Sequence, residues 1–235
     1  GYYSVLLDDY QIQAELTATP RVAFQRFTFP KGTDNHILFN IGNRQGESGT
    51  VKDAYVTYTA DGHIEGWVIT IPEYVKKYQP GAAVPLYFSA VLDREPESYG
   101  SFHGNTQLAD AKESKGTGAG MYFTFSNEQQ EAVTAKIGLS YTSVENARIN
   151  LQAEAEGKTF EDAKEQAHQI WQEYLGRIEV ETSKREDKVK FYTGLYHALL
   201  GRGLANDVNG AYPRNDGSVG QLPMKEGKPQ YNVYN

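Results

Sequence analysis

Five histidines, His36, His63, His103, His168 and His197, are the first residues here whose side chains could ligate zinc or move a proton near neutral pH. None stands in an H-x-H or H-E-x-x-H arrangement, so their spacing builds no zinc site. His168 and His197 fall within helical patterns. His63 lies beside a hairpin turn, and His103 falls in the polar stretch YGSFHGN, read as a loop. These are settings of surface or core-edge histidines. There is no G-x-S-x-G nucleophile elbow. There is no cysteine either, which removes thiolate metal sites, cysteine nucleophiles and disulfides together.

Oxygen donors gather in DVNGAYPRNDG, where Asp207, Asn209, Asn215 and Asp216 suggest a broken calcium loop. An EF-hand loop needs alternating ligands, a central glycine and a terminal bidentate glutamate. This stretch lacks the glutamate and contains a proline, so turn-forming Asn and Asp explain it more simply. Gly116, Gly118 and Gly120 in SKGTGAGMYF resemble a phosphate loop, yet they precede a strand instead of opening a helix. The carboxylate pairs Asp8-Asp9, Glu161-Asp162 and Glu186-Asp187 sit at strand ends or helix starts, where acids are expected anyway. Trp67, Tyr74, Tyr78, Tyr99 and Phe102 are the aromatics to consider for stacking on sugar rings, although a sandwich buries most of its aromatics.

The elements that must position these residues change character once along the chain. Residues 1–142 read as many short strands rich in β-branched and aromatic residues, with no helix between them, an antiparallel β-sandwich. In RVAFQRFTF, Val22, Phe24, Arg26 and Thr28 share one face, and Ala23, Gln25, Phe27 and Phe29 the other. Asp61-Gly62 marks a hairpin turn. After Ser143, an N-cap residue, the period becomes helical. Thr159 and Asp162 form an approximate capping box ahead of a stripe running from Phe160 to Leu175, stopped by Gly176. A short strand-like RIEVET follows. Val189, Tyr192, Leu195, Tyr196, Leu199 and Leu200 then make the stripe of a last helix, and from Leu204 onward only turn chemistry remains.

The sequence thus divides into a sandwich over 1–142, a helical linker over 143–181 and a helix-plus-loop segment over 182–235. Its 235 residues carry 23 basic against 30 acidic side chains, a net charge of -7 with no basic stripe, which argues against a nucleic-acid partner. No apolar run approaches the roughly 18–20 residues of a membrane-spanning helix. The opening GYYSVLLDDY has no initiator methionine and no signal-peptide pattern, and reads as a processed or cut product.

Three strings, in order, resemble one family. GYYSVLLDDYQIQAELTATPRVAFQRFTFP is similar to the P-G-Y-Y-S-V…E-L-T-A-T-x-R…F-P passage of glycoside hydrolase family 92, the calcium-dependent α-mannosidases. KIGLSYTSVENARINLQAEAEGKTFEDAKEQAHQIWQEYLGRIEVE resembles that family's I-S-x-x-S-x-E-x-A-x-x-N-L-x-x-E segment and its W-x-x-x-L-x-x-I-x-V linker helix. FYTGLYHALL…DVNGAYPRNDG resembles F-Y-T-A-L-Y-H-x-x-L…D-x-x-G-x-Y-x-x-x-D.

The resemblance implies a β-sandwich joined by a helical linker to the first helix of an incomplete (α/α)6 catalytic barrel. It implies inverting, calcium-dependent exo-hydrolysis of α-linked mannose, often α-1,2, in mannose-containing glycans, by an exported bacterial protein, periplasmic or extracellular. The family's glycine- and histidine-rich segment before the first match, and its W-D-T-x-R sequence after YNVYN, are not among these residues. The family's general acid, general base and most calcium ligands lie in that remainder. No catalytic or metal-ligating residue carries over, and none is assigned to substrate binding. The chain is therefore expected to be a fragment, inactive alone, whose partners are the glycan and the rest of the barrel. Tyr192, Leu195, Tyr196 and Leu199 are expected to expose an apolar face towards that remainder. The alternatives are a non-catalytic carbohydrate-binding sandwich and a scaffolding domain.

Overall fold

The computed structural model describes residues 1–45, 49–79, 81–201 and 203–234, with the side chains at 33, 34, 74 and 75 excepted. Its first part is strand after strand: β1 (Tyr2–Leu7), β2 (Ile12–Ala18), β3 (Val22–Phe29), β4 (Gly32–Asn40), β5 (Thr50–Tyr58) and β6 (Ile64–Ile71). A short helix, α1 (Glu73–Tyr78), precedes β7 (Val84–Leu92), β8 (Ser98–His103), β9 (Thr106–Ala109), β10 (Glu113–Lys115), β11 (Ala119–Asn127) and β12 (Glu131–Ser140). They form two antiparallel sheets, an eight-stranded one in the order β1-β2-β3-β12-β7-β6-β5-β10 and a four-stranded one in the order β4-β11-β8-β9.

Period-two patterning decides what each strand buries. Between the sheets lies a core that includes Phe29, Phe39, Val56, Ile64, Phe88 and Phe123. Phe39 stacks on Phe88 at 6.2 Å and meets the edge of Phe123 at 5.8 Å, arrangements that aromatic quadrupoles favour. Strand β3 serves two cores at once. Phe27 and Phe29 face the small sheet, while Val22 and Phe24 face outward into a second cluster with Leu151, Ala155, Phe160 and Ala163.

That second cluster is made by helices α2 (Val144–Ala155) and α3 (Phe160–Leu175) lying on the outer face of the large sheet. Ser143 caps α2 by accepting from the Asn146 amide, and Lys136 Nζ donates to the carbonyls of Ala155 and Lys158 at its other end. The helix approaches β12 closely because residue 138 is glycine. A Cβ there would sit 2.4 Å from the Ala147 carbonyl oxygen and 2.7 Å from Leu151 Cβ. The Thr159–Asp162 capping box of α3 is complete in both directions. Phe160 is clamped beneath it, with Tyr2 edge-on at 6.4 Å and the Arg26 guanidinium 4.2 Å above its ring. Only the first half of α3 is docked: Phe160, Ala163 and Ala167 are buried, whereas Ile170 and Tyr174 are exposed.

Helix α4 (Arg185–Leu199) buries no residue, and its N-cap residue, Lys184, makes no side-chain cap. Beyond it come two small hairpins, β13 (Ala211–Pro213) with β14 (Val219–Gln221), and β15 (Met224–Lys225) with β16 (Lys228–Pro229).

Several local expectations are corrected. RIEVET forms no strand, having no neighbour to pair with, and Ile178 there is exposed. Helix α1 interrupts the run of strands. YGSFHGN is not a loop: most of it is β8, and His103 is that strand's last residue. Pairing with β11 overrides the weak local pattern, and Gly100 permits it, since a Cβ there would lie 2.4 Å from the Tyr122 hydroxyl. The β5–β6 turn spans residues 59–63 with positive φ only at Gly62. The stretch after Leu204 holds the two hairpins.

Candidate functional site

The densest polar constellation lies where the loop after α4 returns to the sandwich. Asp207 is only 2% exposed, and its carboxylate is saturated by donors. Ser140 Oγ (3.0 Å) and Thr142 Oγ1 (2.5 Å) donate to Oδ2, and Asn150 Nδ2 (2.6 Å) donates to Oδ1. Asn150 in turn accepts from the Val208 amide at 2.9 Å and donates to the Leu139 carbonyl at 2.8 Å. Asn209 donates to Asn146 at 2.8 Å. Arg21 Nε reaches the Asn206 carbonyl at 2.7 Å while its NH1 pairs with Glu154 at 2.8 Å. A buried carboxylate is tolerable only with such compensation. Its oxygens are taken, so Asp207 acts as a staple joining the end of β12, the first turns of α2 and the returning loop.

This staple presents the β13–β14 hairpin. Tyr212 lies against bare backbone at Gly220, where a Cβ would come within 2.3 Å of the ring. Asp216 accepts from both the amide (2.9 Å) and the hydroxyl (2.6 Å) of Ser218, which holds its carboxyl below the usual range. Asn215 and Asp216 thus shape the turn and share no partner with Asp207 or Asn209. Sequence reasoning singled out Asp207 and Asn209 but missed Arg21, Ser140, Thr142, Asn150 and Glu154. The available signal was Asn150, a polar residue on the buried side of α2 beside Ala147 and Leu151.

Of the histidines, His63 alone enters a network. Ser89 donates to Glu65 Oε1 at 2.8 Å, so its oxygen accepts from His63 Nδ1 at 3.1 Å, which places the proton on Nδ1. Arg148 completes the chain through Glu65 and Asp61, both at 2.7 Å. Burial first, and the Arg148 charge second, hold His63 below its ordinary pKa. His63 borders a cavity of about 390 Å³ under α2, where Lys136 and Arg148 are committed to protein partners and Glu156 adds a carboxylate to the wall. His36, His103, His168 and His197 are exposed and lie on separate elements.

The glycine loop is structural. The amides of Gly116, Gly118 and Ala119 donate to Ala54, Gly42 and Gly116, leaving no cradle for phosphate. Among the aromatics, Phe102 is buried, and Tyr99 packs edge-on to Tyr58 at 4.9 Å. Tyr78 is exposed at the end of α1, and the Tyr74 side chain lies outside the described residues. Trp67 has company that sequence reasoning missed. Tyr55 and Tyr87 are its cross-strand partners on β5 and β7, making a half-buried row on the outer face of the large sheet.

The last feature is the apolar side of α4. Tyr196 stacks on Trp171 at 4.7 Å and Tyr192 donates to the Ile178 carbonyl, yet Val189, Leu199 and Leu200 are exposed, as are Ile170 and Tyr174 on α3. Among the described residues no three His, Asp or Glu side chains converge as a metal-binding set, and the carboxylates of Asp207 and Asp216 are engaged. Among the described residues, these two carboxylates therefore offer calcium no ready donor set.

The class defined so far is a two-layer antiparallel sandwich running directly into a stapled helical segment. Residues 1–140 match the model for the glycosyl hydrolase family 92 N-terminal domain, and residues 146–235 match that for the family 92 catalytic domain. The chain belongs to glycosyl hydrolase family 92. Its fold is similar to that of the family 92 α-mannosidase BT3965 from Bacteroides thetaiotaomicron, with a TM-score of 0.85 and 24% identity over 99% of this chain and 30% of that one. It is similar to the family 92 glycosyl hydrolase ccman5 at a TM-score of 0.79, with 24% identity over 95% of this chain and 28% of that one. A third likeness is to the inverting mannosidase BT2199 from Bacteroides thetaiotaomicron VPI-5482, with a TM-score of 0.78 and 23% identity over 94% of this chain and 29% of that one. The chain thus spans about three-tenths of the length of each. No curated protein matches it.

Proposed function

We propose that these residues serve an exo-α-mannosidase that removes mannose from mannose-containing glycans, α-1,2 linkages first, with inversion and with calcium whose ligands lie mostly outside residues 1–235. The observation that carries this reading is the ordered match of both family 92 domains, 1–140 and 146–235, meeting at the β12–α2 junction that Asp207 staples. Within it the sandwich is a rigid base, and the staple fixes where the catalytic-domain segment leaves that base. Inversion requires an acid and a base roughly 6.5–9.5 Å apart with a water between them. Neither role is assigned within 1–235, so the chain alone is expected to be inactive. An exported, periplasmic or extracellular setting suits such a substrate.

The test is hydrolysis of α-1,2-mannobiose by a polypeptide in which residues 1–235 are continued by the remainder of a family 92 catalytic domain. Proton NMR should show β-mannose as the first product, with activity lost to EDTA and restored by calcium. First-formed α-mannose would refute inversion, and activity indifferent to EDTA would refute the calcium requirement. No turnover of any α-mannoside would remove the reading itself. A second reading, a glycan-binding sandwich, is favoured by the Tyr55–Trp67–Tyr87 row, since a sugar's apolar face stacks on such rings. Mannan binding that Trp67→Ala abolishes, without turnover, would support it.

A further inference from the structure

At the end of the sandwich away from the Asp207 staple, the β5–β6 turn, the β7–β8 loop and the residues leading into β10 enclose a cleft. Its volume is about 470 Å³, within the roughly 300–1,000 Å³ of small-ligand pockets. Strand β12 spans the separation. Asp93, at this end, accepts from the Thr134 amide at 2.7 Å, whereas Ser140, six residues on, donates to Asp207. At roughly 3.3 Å per residue the two points are about 20 Å apart.

The walls of the cleft are fixed in advance of any ligand. Tyr58 and Tyr99 pack on the sandwich core as its floor, edge-on to each other at 4.9 Å, with Tyr58 edge-on to Phe123 at 5.2 Å. The Tyr58 amide donates to the Lys112 carbonyl at 2.7 Å, and the Thr59 hydroxyl bonds Asp61 and the His63 carbonyl. Arg94 anchors the far wall through Asn127, the Ser126 carbonyl and Glu131. Other groups are uncommitted. Among the described residues Glu95 and Lys112, both exposed, enter no ion pair, and Asp93 spends only Oδ1 on Thr134. Burial first and the Glu95 charge second raise the Tyr58 pKa, so that phenol and that carboxylate face the same space.

The open carboxylates of Asp93 and Glu95 repel a phosphate or sulfate, and the described residues bring no metal-binding set together. Ring surface below, acceptors on one wall and the Lys112 ammonium on another suit a neutral molecule with hydroxyls around an apolar C–H face. That is the pattern of a pyranose. We propose that this cleft binds a pyranose unit of a neutral, mannose-containing glycan. Its C–H face lies over Tyr58 and Tyr99, its hydroxyls donate to Asp93 and Glu95, and Lys112 donates to a further hydroxyl. The glycan class rests on the mannosidase reading, whereas the site itself needs no turnover. Such a site retains a polymeric glycan on the sandwich independently of hydrolysis.

The test is NMR titration of the 235-residue chain with α-1,2-mannotetraose, β-1,4-glucotetraose and the polyamine spermidine. Mannotetraose should give saturable shifts at Tyr58, Gly62, Glu95, Tyr99 and Lys112. Glu95→Gln, at an exposed position that the fold does not use, should weaken its binding by about tenfold. Mannotetraose binding in a chain whose completed form hydrolyses no mannoside would uphold this site while removing the mannosidase reading. No shifts with mannotetraose, or shifts that Glu95→Gln leaves unchanged, would overturn the proposal. Equal or tighter binding of glucotetraose or spermidine would overturn it too, by making the ligand another sugar or an amine. So would binding lost in Trp67→Ala and kept in Glu95→Gln, which would move the glycan to the Tyr55–Trp67–Tyr87 row.

Discussion

Helices α2 and α4 differ little in length, twelve residues against fifteen, yet they stand in opposite relation to the rest of the molecule. Helix α2 has a side-chain N-cap, a lysine at its C-terminal carbonyls, a glycine beneath it and four buried residues, including the polar Asn150. Helix α4 carries the more regular apolar stripe and buries nothing. An apolar stripe therefore states what a helix can bury, and only the facing surface determines whether it does. In α2 that surface is a sheet cut to fit by Gly138 and Phe24. In α4 it is a ring contact between Tyr196 and Trp171 and a hydrogen bond from Tyr192 to the Ile178 carbonyl.

The comparison can be broken most severely at Phe24, fully buried where β3 meets α2 and α3. Phe24→Ala is expected to cost about 3–5 kcal/mol in denaturant unfolding. A loss under about 1 kcal/mol would mean that the second cluster does not hold the helices. Asp207→Ala should cost about 1–3 kcal/mol, because Ser140, Thr142 and Asn150 lose a buried acceptor. It should also speed exchange of the Val208 amide while leaving α4 exchange unchanged. If α4 exchange rises with it, the helix leans on the staple and the contrast is blurred.

A smaller effect should come from His63, at the foot of α2. Its proton is bound less tightly in the folded state than in the unfolded one. Stability should therefore fall as pH drops from about 6.5 through the lowered folded value. His63→Gln should flatten that part of the pH profile, and an unchanged slope would locate the sensitivity elsewhere. Leu199→Ala sits at the bottom of the scale, within about 0.5 kcal/mol in the isolated chain, as befits an exposed residue.

Much of the architecture was legible in the sequence for a physical reason: alternation in β3 and caps at Ser143 and Thr159 are local signals. Strands β8 to β10 were not legible, since they exist through pairing, β8 with β11, β9 with β8 and β10 with β5, and carry little pattern of their own. The staple was half legible. Asp207 stood out as a turn acid, but its donors come from residues 57–67 positions away along the chain, and no local spacing announces that. RIEVET failed in the other direction, a strand-like composition with no strand beside it.

Native-state hydrogen exchange of the monomeric 235-residue chain, resolved by helix, tests the central contrast most directly. The account predicts that the interior amides of α2 exchange only with global unfolding, together with β3 and β12, whereas those of α4 exchange through local opening at far lower free energy. Protection of α4 equal to that of α2 in a monomer would contradict it.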